Sequence, residues 1–259
     1  MQTGVIGLGR FGAFWATLLA RQFPVLGYNR SPNRPIPNGI QTAGLAEVCA
    51  CDALFLCVSI SAIDAVATEI AGLVSSHTVV IDTCSVKEYP LRLLRERLHP
   101  HTSIIGTHPM FGPDSARDGV KGLPLILCRE RADESVVQYW AEAFRGFGLQ
   151  VMEMSAEEHD REAAYTQGIT HFVGRVLREL DVKPSAIATL GYQKILEVVE
   201  QTCNDPMQLF VDLQRHNRFT ANMRRDLTAA FGRVVEKLGP SGAPSAPRDG
   251  NASPHDHPY

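Results

Sequence analysis

Short, uniformly apolar runs recur through the first 154 positions, separated by turn residues and by stretches with helical spacing. "TGVIGLGRFG" opens as a strand, turns through Gly7, Gly9 and Gly12, and continues as the helix "AFWATLLARQF". "PVLGYNRS" reads as a second strand ending near Asn29, and further strands are expected at "DALFLCVSI", "HTVVIDT", "TSIIGTHP", "LPLILC" and "LQVMEM". Helical patterns such as "VKEYPLRLLRERL" and "ADESVVQYWAEAFRGF" lie between them. Strands with no polar alternation are covered on both faces, which predicts a mainly parallel sheet with right-handed crossovers, an α/β fold of Rossmann type.

After Ser155 the pattern changes to apolar stripes at helical spacing without strands. Ser155 with Glu158 three residues later forms a capping-box signature, and Pro184 and Pro206 mark boundaries between helices. The expected organisation is a dinucleotide-binding domain over 1–154, a helical substrate and dimerisation domain over 155–238, and a polar, Pro-rich tail over 239–259 that cannot form a core and is expected to be disordered. Stripes of that length need a partner, and the same region of a second subunit supplies one, so a homodimer through the C-terminal helices is expected. Only three residues precede the first strand motif, so neither a fused mutase nor a separate amino acid sensor domain is expected.

Composition narrows the classes. With 259 residues, 44% of them hydrophobic, the chain can bury a large core without disulfides or metal. Its 25 basic and 28 acidic residues leave no basic field for nucleic acid. Six cysteines follow no metal-knuckle or CxxC spacing, so no metal is expected and a reducing, cytoplasmic setting is. No apolar run approaches the roughly 20 residues that span a bilayer, so neither export nor membrane insertion is expected.

The glycines fall where a strand hands over to a helix. There the first makes a tight turn, the second lets backbone approach a pyrophosphate, and the helix start offers unpaired N–H groups. Gly7, Leu8, Gly9, Arg10, Phe11 and Gly12, with Val58 and Ser59 at a later strand end, are the expected cofactor contacts. An acidic residue at the end of the second strand would favour NAD; this chain has Asn29, Arg30 and Ser31, with Arg34 nearby. A guanidinium fork and a hydroxyl suit the extra phosphate of NADP, the expected cofactor.

Two further strand ends carry polar residues: "DTCSVK" places Asp82, Ser85 and Lys87, and "GTHPMFGPDS" places His108 between a threonine and a proline. If hydride leaves a carbon that bears a hydroxyl, some group must take the proton. Imidazole, with an ordinary pKa of about 6.5, is suited to that at neutral pH. His108 is thus the candidate base, with a hydrogen-bonded turn residue as the other reading, and Ser85 holds the hydroxyl or sets the histidine.

Taken together, "GLGRFG", "DTCSVK", "GTHPMFGPDS" and "SAEEHDREAAYTQGITHFVGRVL" resemble the prephenate/arogenate dehydrogenase family, and in particular its NADP-linked, arogenate-using plant-like branch; the resemblance runs from Gly4 to about Asn217. It implies oxidative decarboxylation of arogenate to tyrosine or of prephenate to hydroxyphenylpyruvate, with His108 as proton acceptor and Ser85 at the reacting hydroxyl. It also implies that the helix carrying His159, Asp160, Gln167 and His171 presents polar residues to the substrate, so His159, Gln167 and His171 are expected contacts, together with Lys87. Many bacterial members have an arginine on the next helix. "GYQKILEVVEQTCNDP" has none, and Lys194, the nearby cation, is the candidate for the substrate's ring carboxylate.

Other NADP-dependent readings fit less of the chain. Hydroxyacid dehydrogenases of similar architecture need a catalytic lysine that is absent between Val151 and Val182. An imine reductase gives "THPMFGP" no role. A redox sensor that binds NADP without turnover is the non-enzyme alternative.

Overall fold

The computed structural model describes residues 1–31 and 35–239. Arg34 and the tail from 240 onward lie outside the described residues. Eight strands form one sheet: β1 (Thr3–Ile6), β2 (Val25–Tyr28), β3 (Gln41–Thr42), β4 (Ala53–Leu56), β5 (Val79–Asp82), β6 (Ser103–Pro109), β7 (Pro124–Arg131) and β8 (Gln150–Glu153). Their order is β3-β2-β1-β4-β5-β6-β7-β8. Every pairing is parallel except β6 with β7, which is antiparallel with a register shift at Ile104/Ile105. The expected mainly parallel sheet is present, and each strand expected from an apolar run is found. β3 was not expected: it is an exposed two-residue edge pairing, too short for any hydrophobic period.

Alternate strand residues serve opposite faces, as the pleat requires. Val5, Phe55, Ile81 and Ile105 pack beneath α1 (Arg10–Leu19), through Trp15, and α5 (Glu134–Gly146), through Trp140 and Phe144. Leu54, Leu56, Val80 and Ile104 face the other layer, which holds α2 (Leu45–Cys49), α3 (Ile63–Ile70) and α4 (Glu88–Arg97), represented by Val48, Ile63, Leu91 and Leu94. A single-turn 3₁₀ segment, Ile60–Ala62, leads into α3.

Beyond β8 the chain is helical: α6 (Ala156–Ala163), a π-helical turn (Ala164–Gly168), α7 (Ile169–Glu179), α8 (Leu190–Asn204), α9 (Met207–His216) and α10 (Thr220–Leu238). The capping box forms, with Glu158 N–H donating to Ser155 Oγ and Ser155 N–H to Glu158 Oε2. The π turn widens the helix where α6 hands over to α7, and Gln214 Nε2 donates to the Gly168 carbonyl at 3.0 Å. The last helical run is two helices rather than one. No proline or glycine marks the break; it is made by Asn217, whose Oδ1 accepts the Phe219 N–H at 2.9 Å while its Nδ2 donates to the Asp160 carbonyl at 2.6 Å.

Residues Met1–Met223 form one compact unit, so α6 to α9 pack as part of the same body as the sheet, and position 155 marks a change of texture within it. The second unit begins at Arg224, and its described part is the remainder of α10. Among the described residues, no helix is long and apolar enough to cross a membrane.

Candidate functional site

A cavity of about 620 Å³ opens at the carboxyl edge of the sheet, between the start of α1 and the helices that follow β8. That volume suits a small ligand, within the roughly 300–1,000 Å³ usual for such sites. The strand order reverses between β1 and β4, and the crevice at this reversal is where open α/β sheets bind ligands.

At that crevice Gly7 adopts φ +94°, a left-handed conformation that favours glycine. Gly12 sits so close to it that a Cβ would come within 1.8 Å of the Gly7 carbonyl oxygen. α1 then starts at Gly9 with no side-chain cap and no acidic residue in its first turn, so its leading N–H groups are left for an external acceptor. Gly9, Arg10, Phe11 and Gly12 line the cavity, as do Val58 and Ser59. This uncapped, glycine-built turn fits a dinucleotide phosphate. Leu8 instead points into the core, 3% exposed, and offers only backbone. Asn29, Arg30 and Ser31 stand beyond the cavity wall at the end of β2, with Asn29 Nδ2 bonded to the Ser31 carbonyl and Arg30 exposed. Arg10 is paired with Asp114 from the loop after β6.

β5 and β6 deliver the polar centre. Ser85 and His108 line the cavity together. His108 Nδ1 lies 2.8 Å from His159 Nε2, and His159 Nδ1 lies 2.8 Å from Asp160 Oδ1. Asp160 also accepts the Lys87 N–H at 2.7 Å and the Glu88 N–H at 2.9 Å. Burial, followed by the neighbouring His159, Lys87 and His171, pushes the His108 imidazole well below its ordinary pKa. Such a histidine is neutral at physiological pH and able to accept a proton.

Gln167 and His171 line the opposite wall with Thr166, Thr170, Gln201, Thr202 and Asp205. Gln167 Oε1 and His171 Nδ1 are buried without a hydrogen-bond partner. Burial lowers the His171 pKa and raises that of Asp205, whose Oδ2 is 3.9 Å from His171 Nε2.

Three expected substrate contacts are placed differently. Lys87 is wholly buried: its Nζ is paired with Asp82 and donates to the Thr107 carbonyl at 2.6 Å, so it braces β5 against β6 and does not reach the cavity. Lys194 is exposed on α8, about two turns from the cavity-lining Gln201. His159 stands behind His108 rather than beside the open space. The structure adds Asp205 and Asp212. The latter accepts Ser61 N–H at 3.0 Å, Ser61 Oγ–H at 2.9 Å and Gln208 Nε2–H at 2.7 Å, which fixes α9 to the turn after β4. The "NDP" run that carries Asp205 signals only a helix boundary in sequence.

Residues 38–153 match the family model "Prephenate dehydrogenase, nucleotide-binding domain", and residues 176–243 match "TYRAAT1-like, C-terminal domain". The chain is 31% identical over 250 residues to arogenate dehydrogenase 2, chloroplastic, of Arabidopsis thaliana, covering 92% of this chain and 70% of that one. The chain belongs to the prephenate/arogenate dehydrogenase family. Arogenate dehydrogenase 1, chloroplastic, of the same plant is 31% identical over 257 residues, and the chain spans 40% of its length. The fold is shared with prephenate dehydrogenase from A. aeolicus in complex with hydroxyphenyl propionate and NAD+, with a TM-score of 0.70, 19% identity and 92% coverage of both chains.

The lowered pKa values of His108 and His171 carry a stability consequence. Both imidazoles are held neutral in the folded chain and protonate more readily once it unfolds, so the unfolded state binds more protons in mild acid. Their contribution is complete above the unfolded value of about 6.5 and is lost as pH falls below it, down to the native values. Thermal melts between pH 7.5 and 5 are expected to show a falling Tm, with a shallower fall in a His171→Gln variant; an identical slope in both proteins contradicts the assignment of His171.

Proposed function

We propose that this protein is an NADP-dependent arogenate/prephenate dehydrogenase, which oxidises the hydroxyl-bearing ring carbon of its substrate while carbon dioxide leaves. The observation that carries the reading is a neutral, buried His108 beside Ser85 in a cavity that also holds the uncapped start of α1. When bound, the dinucleotide supplies the acceptor for the hydride. His108 takes the hydroxyl proton as the hydride departs, so that the ring carbon becomes a carbonyl rather than a cation. The bond to the ring carboxylate then breaks, and its electron pair makes the ring aromatic. The phenolate so formed recovers the proton from His108, which returns the base to its starting state. Ser85 orients the hydroxyl, and Gln167 and His171 offer their unpartnered atoms to the far end of the substrate. No step needs a Lewis acid; positioning and one proton acceptor are sufficient chemistry. Arogenate is the favoured substrate, supported by the Arabidopsis relatives that carry that name.

NADP is favoured over NAD because the end of β2 presents Arg30 and Ser31 and no carboxylate. The protein is further proposed to be a dimer. Val176, Leu180, Ile187, Leu190 and Ile195 leave an apolar surface on α7, α8 and their connection, and Leu227, Phe231, Val234 and Leu238 recur at helical spacing along α10.

Three outcomes are expected. His108→Asn keeps the shape but removes the base, so kcat falls by roughly 100- to 10,000-fold with KM changed modestly; run against arogenate and prephenate with NADP and NAD, the same assay fixes both specificities. Retention of more than about a third of wild-type kcat, with chemistry limiting, rejects the role. Arg30→Ala raises the KM for NADP by about tenfold, the equivalent of one ion-assisted contact, and leaves that for NAD nearly unchanged. Equal effects on the two cofactors would remove Arg30 from the phosphate site. Light scattering at micromolar concentration gives twice the single-chain mass of 28.4 kDa, and a monomer mass contradicts the interface.

A further inference from the structure

We infer that Asp160 and His159 act as positioning residues that fix His108 in the tautomer whose Nε2 is bare toward the cavity; this rests on the reading of His108 as the base. The argument follows the hydrogen-bond directions from the far end. Asp160 is completely buried, and its two oxygens meet three N–H donors: backbone Lys87 and Glu88, and His159 Nδ1. A protonated carboxyl would set an O–H against one of them, so the group is a carboxylate and acts only as acceptor. His159 in its neutral form then carries its proton on Nδ1, and its Nε2 is a lone pair. That lone pair is 2.8 Å from His108 Nδ1, which must therefore carry the proton in this pair of neutral rings. What remains at His108 Nε2 is an unprotonated nitrogen in a residue that lines the cavity, with no hydrogen-bond partner among the described residues.

The opposite arrangement would make His108 useless as a base, because Nε2–H could only donate to the substrate hydroxyl. A histidine side chain in water favours that Nε2–H form, so the fold has to impose the other. The chain of acceptors also serves the charged state: when Nε2 takes a proton, the imidazolium donates through Nδ1 to His159, whose own donor rests on the Asp160 anion. The same logic operates in the Ser-His-Asp triad, where a buried carboxylate sets the tautomer of its histidine. Here an additional imidazole stands between carboxylate and base. Other charged and titratable groups near this chain include the Lys87–Asp82 pair, from the turn before α4 and from β5, His171 from α7, and Cys128 from β7 and Arg218, which both feel the Asp160 charge. Lys87 also holds the backbone immediately before His108 through the Thr107 carbonyl.

The test reads the tautomer directly. The full chain, labelled with ring ¹⁵N-histidine and studied at pH 7.5 with NADP, is expected to show His108 with a protonated Nδ1 and a pyridine-like Nε2, its signals assigned by their loss in His108→Asn. In His159→Phe, which has no acceptor, the His108 signals should move to the Nε2–H pattern. kcat should fall on the order of 10- to 100-fold, part of what a general base supplies, with KM within about threefold. His159→Gln, whose amide oxygen can still accept from Nδ1, should recover part of both. A wild-type His108 in the Nε2–H form overturns the inference whatever the variants do, and so does a folded His159→Phe that keeps the wild-type tautomer and kcat. If His159→Phe fails to fold, the wild-type spectrum decides alone. An inactive His108→Asn beside a wrong wild-type tautomer keeps His108 essential to the reaction and removes the relay that sets its tautomer, whereas an active His108→Asn removes His108 from the reaction and the relay with it.

Discussion

One buried carboxylate sets the relation between the two halves of the site. Asp160 has no exposure to solvent, and an ion in that position costs several kcal/mol unless every lone pair is used. Its donors come from different parts of the chain: the N–H groups that begin α4, and a histidine on its own helix that reaches β6. Its backbone carbonyl accepts from Asn217, at the break between α9 and α10. Satisfying this one group therefore fixes where α6 lies over the sheet edge and how far the later helices can shift. The π turn follows Asp160 along the same helical run. Within and beyond this widened turn Gln167 and His171 line the cavity, and Gln214 takes up the Gly168 carbonyl.

The second buried ion pair works on the sheet itself. Asp82 ends β5, Lys87 precedes α4, and their contact is as deeply buried as Asp160. Asp82 Oδ1 also accepts the Cys84 N–H, and its backbone carbonyl accepts Thr107 Oγ–H. Neighbouring strand ends are thus cross-braced by groups that cannot separate without leaving a charge unpaired in apolar surroundings. The benefit to the site is rigidity at Ser85 and His108, which stand on those braced ends. A cation so close to His108 also opposes its protonation, and so the group that positions the imidazole helps keep it neutral.

Much of the fold was legible because it rests on patterns that need no tertiary information. Apolar runs marked the principal strands, the glycines marked the turn into α1, and the Ser155–Glu158 pair marked the start of α6. That Gly9, Ser85 and His108 meet at one cavity was legible, since strand order alone brings those ends to one edge. Misplacement came where direction mattered more than position. Lys87 is at the strand end that sequence assigns it, but whether a side chain turns to solvent, substrate or a buried partner depends on Asp82 and Thr107 across the sheet. His159 and Asp160 are adjacent in sequence and read as two polar positions of one helix. Their order behind His108 arises only when α6 meets β6. The break at Asn217 depends likewise on a partner 57 positions away.

The same distinction explains why the helices offer no free arginine to the cavity. Arg175 is on α7, but its Nη2 donates to the carbonyls of Thr202 and Asp205, at 3.0 and 2.7 Å, and its guanidinium lies over the Phe210 ring. Those carbonyls belong to the last turn of α8 and to the residue that caps it, where backbone acceptors lack helical partners and the helix dipole favours a cation. Using Arg175 there secures the end of α8 and brings Gln201, Thr202 and Asp205 to the cavity wall, at the expense of a cation inside it. Arg10, beside the start of α1, is the one lysine or arginine among the lining residues, and it is already paired with Asp114. The cavity wall is thus mixed: Arg10 and the free N–H groups at the start of α1, the neutral imidazole of His108, and the unpartnered amide and imidazole atoms of Gln167 and His171 beside the Asp205 carboxyl, which itself feels the Arg10–Asp114 pair. His108, deeply buried and with Lys87, His159 and His171 around it, is the point of that wall where the fold makes a neutral nitrogen easiest to maintain.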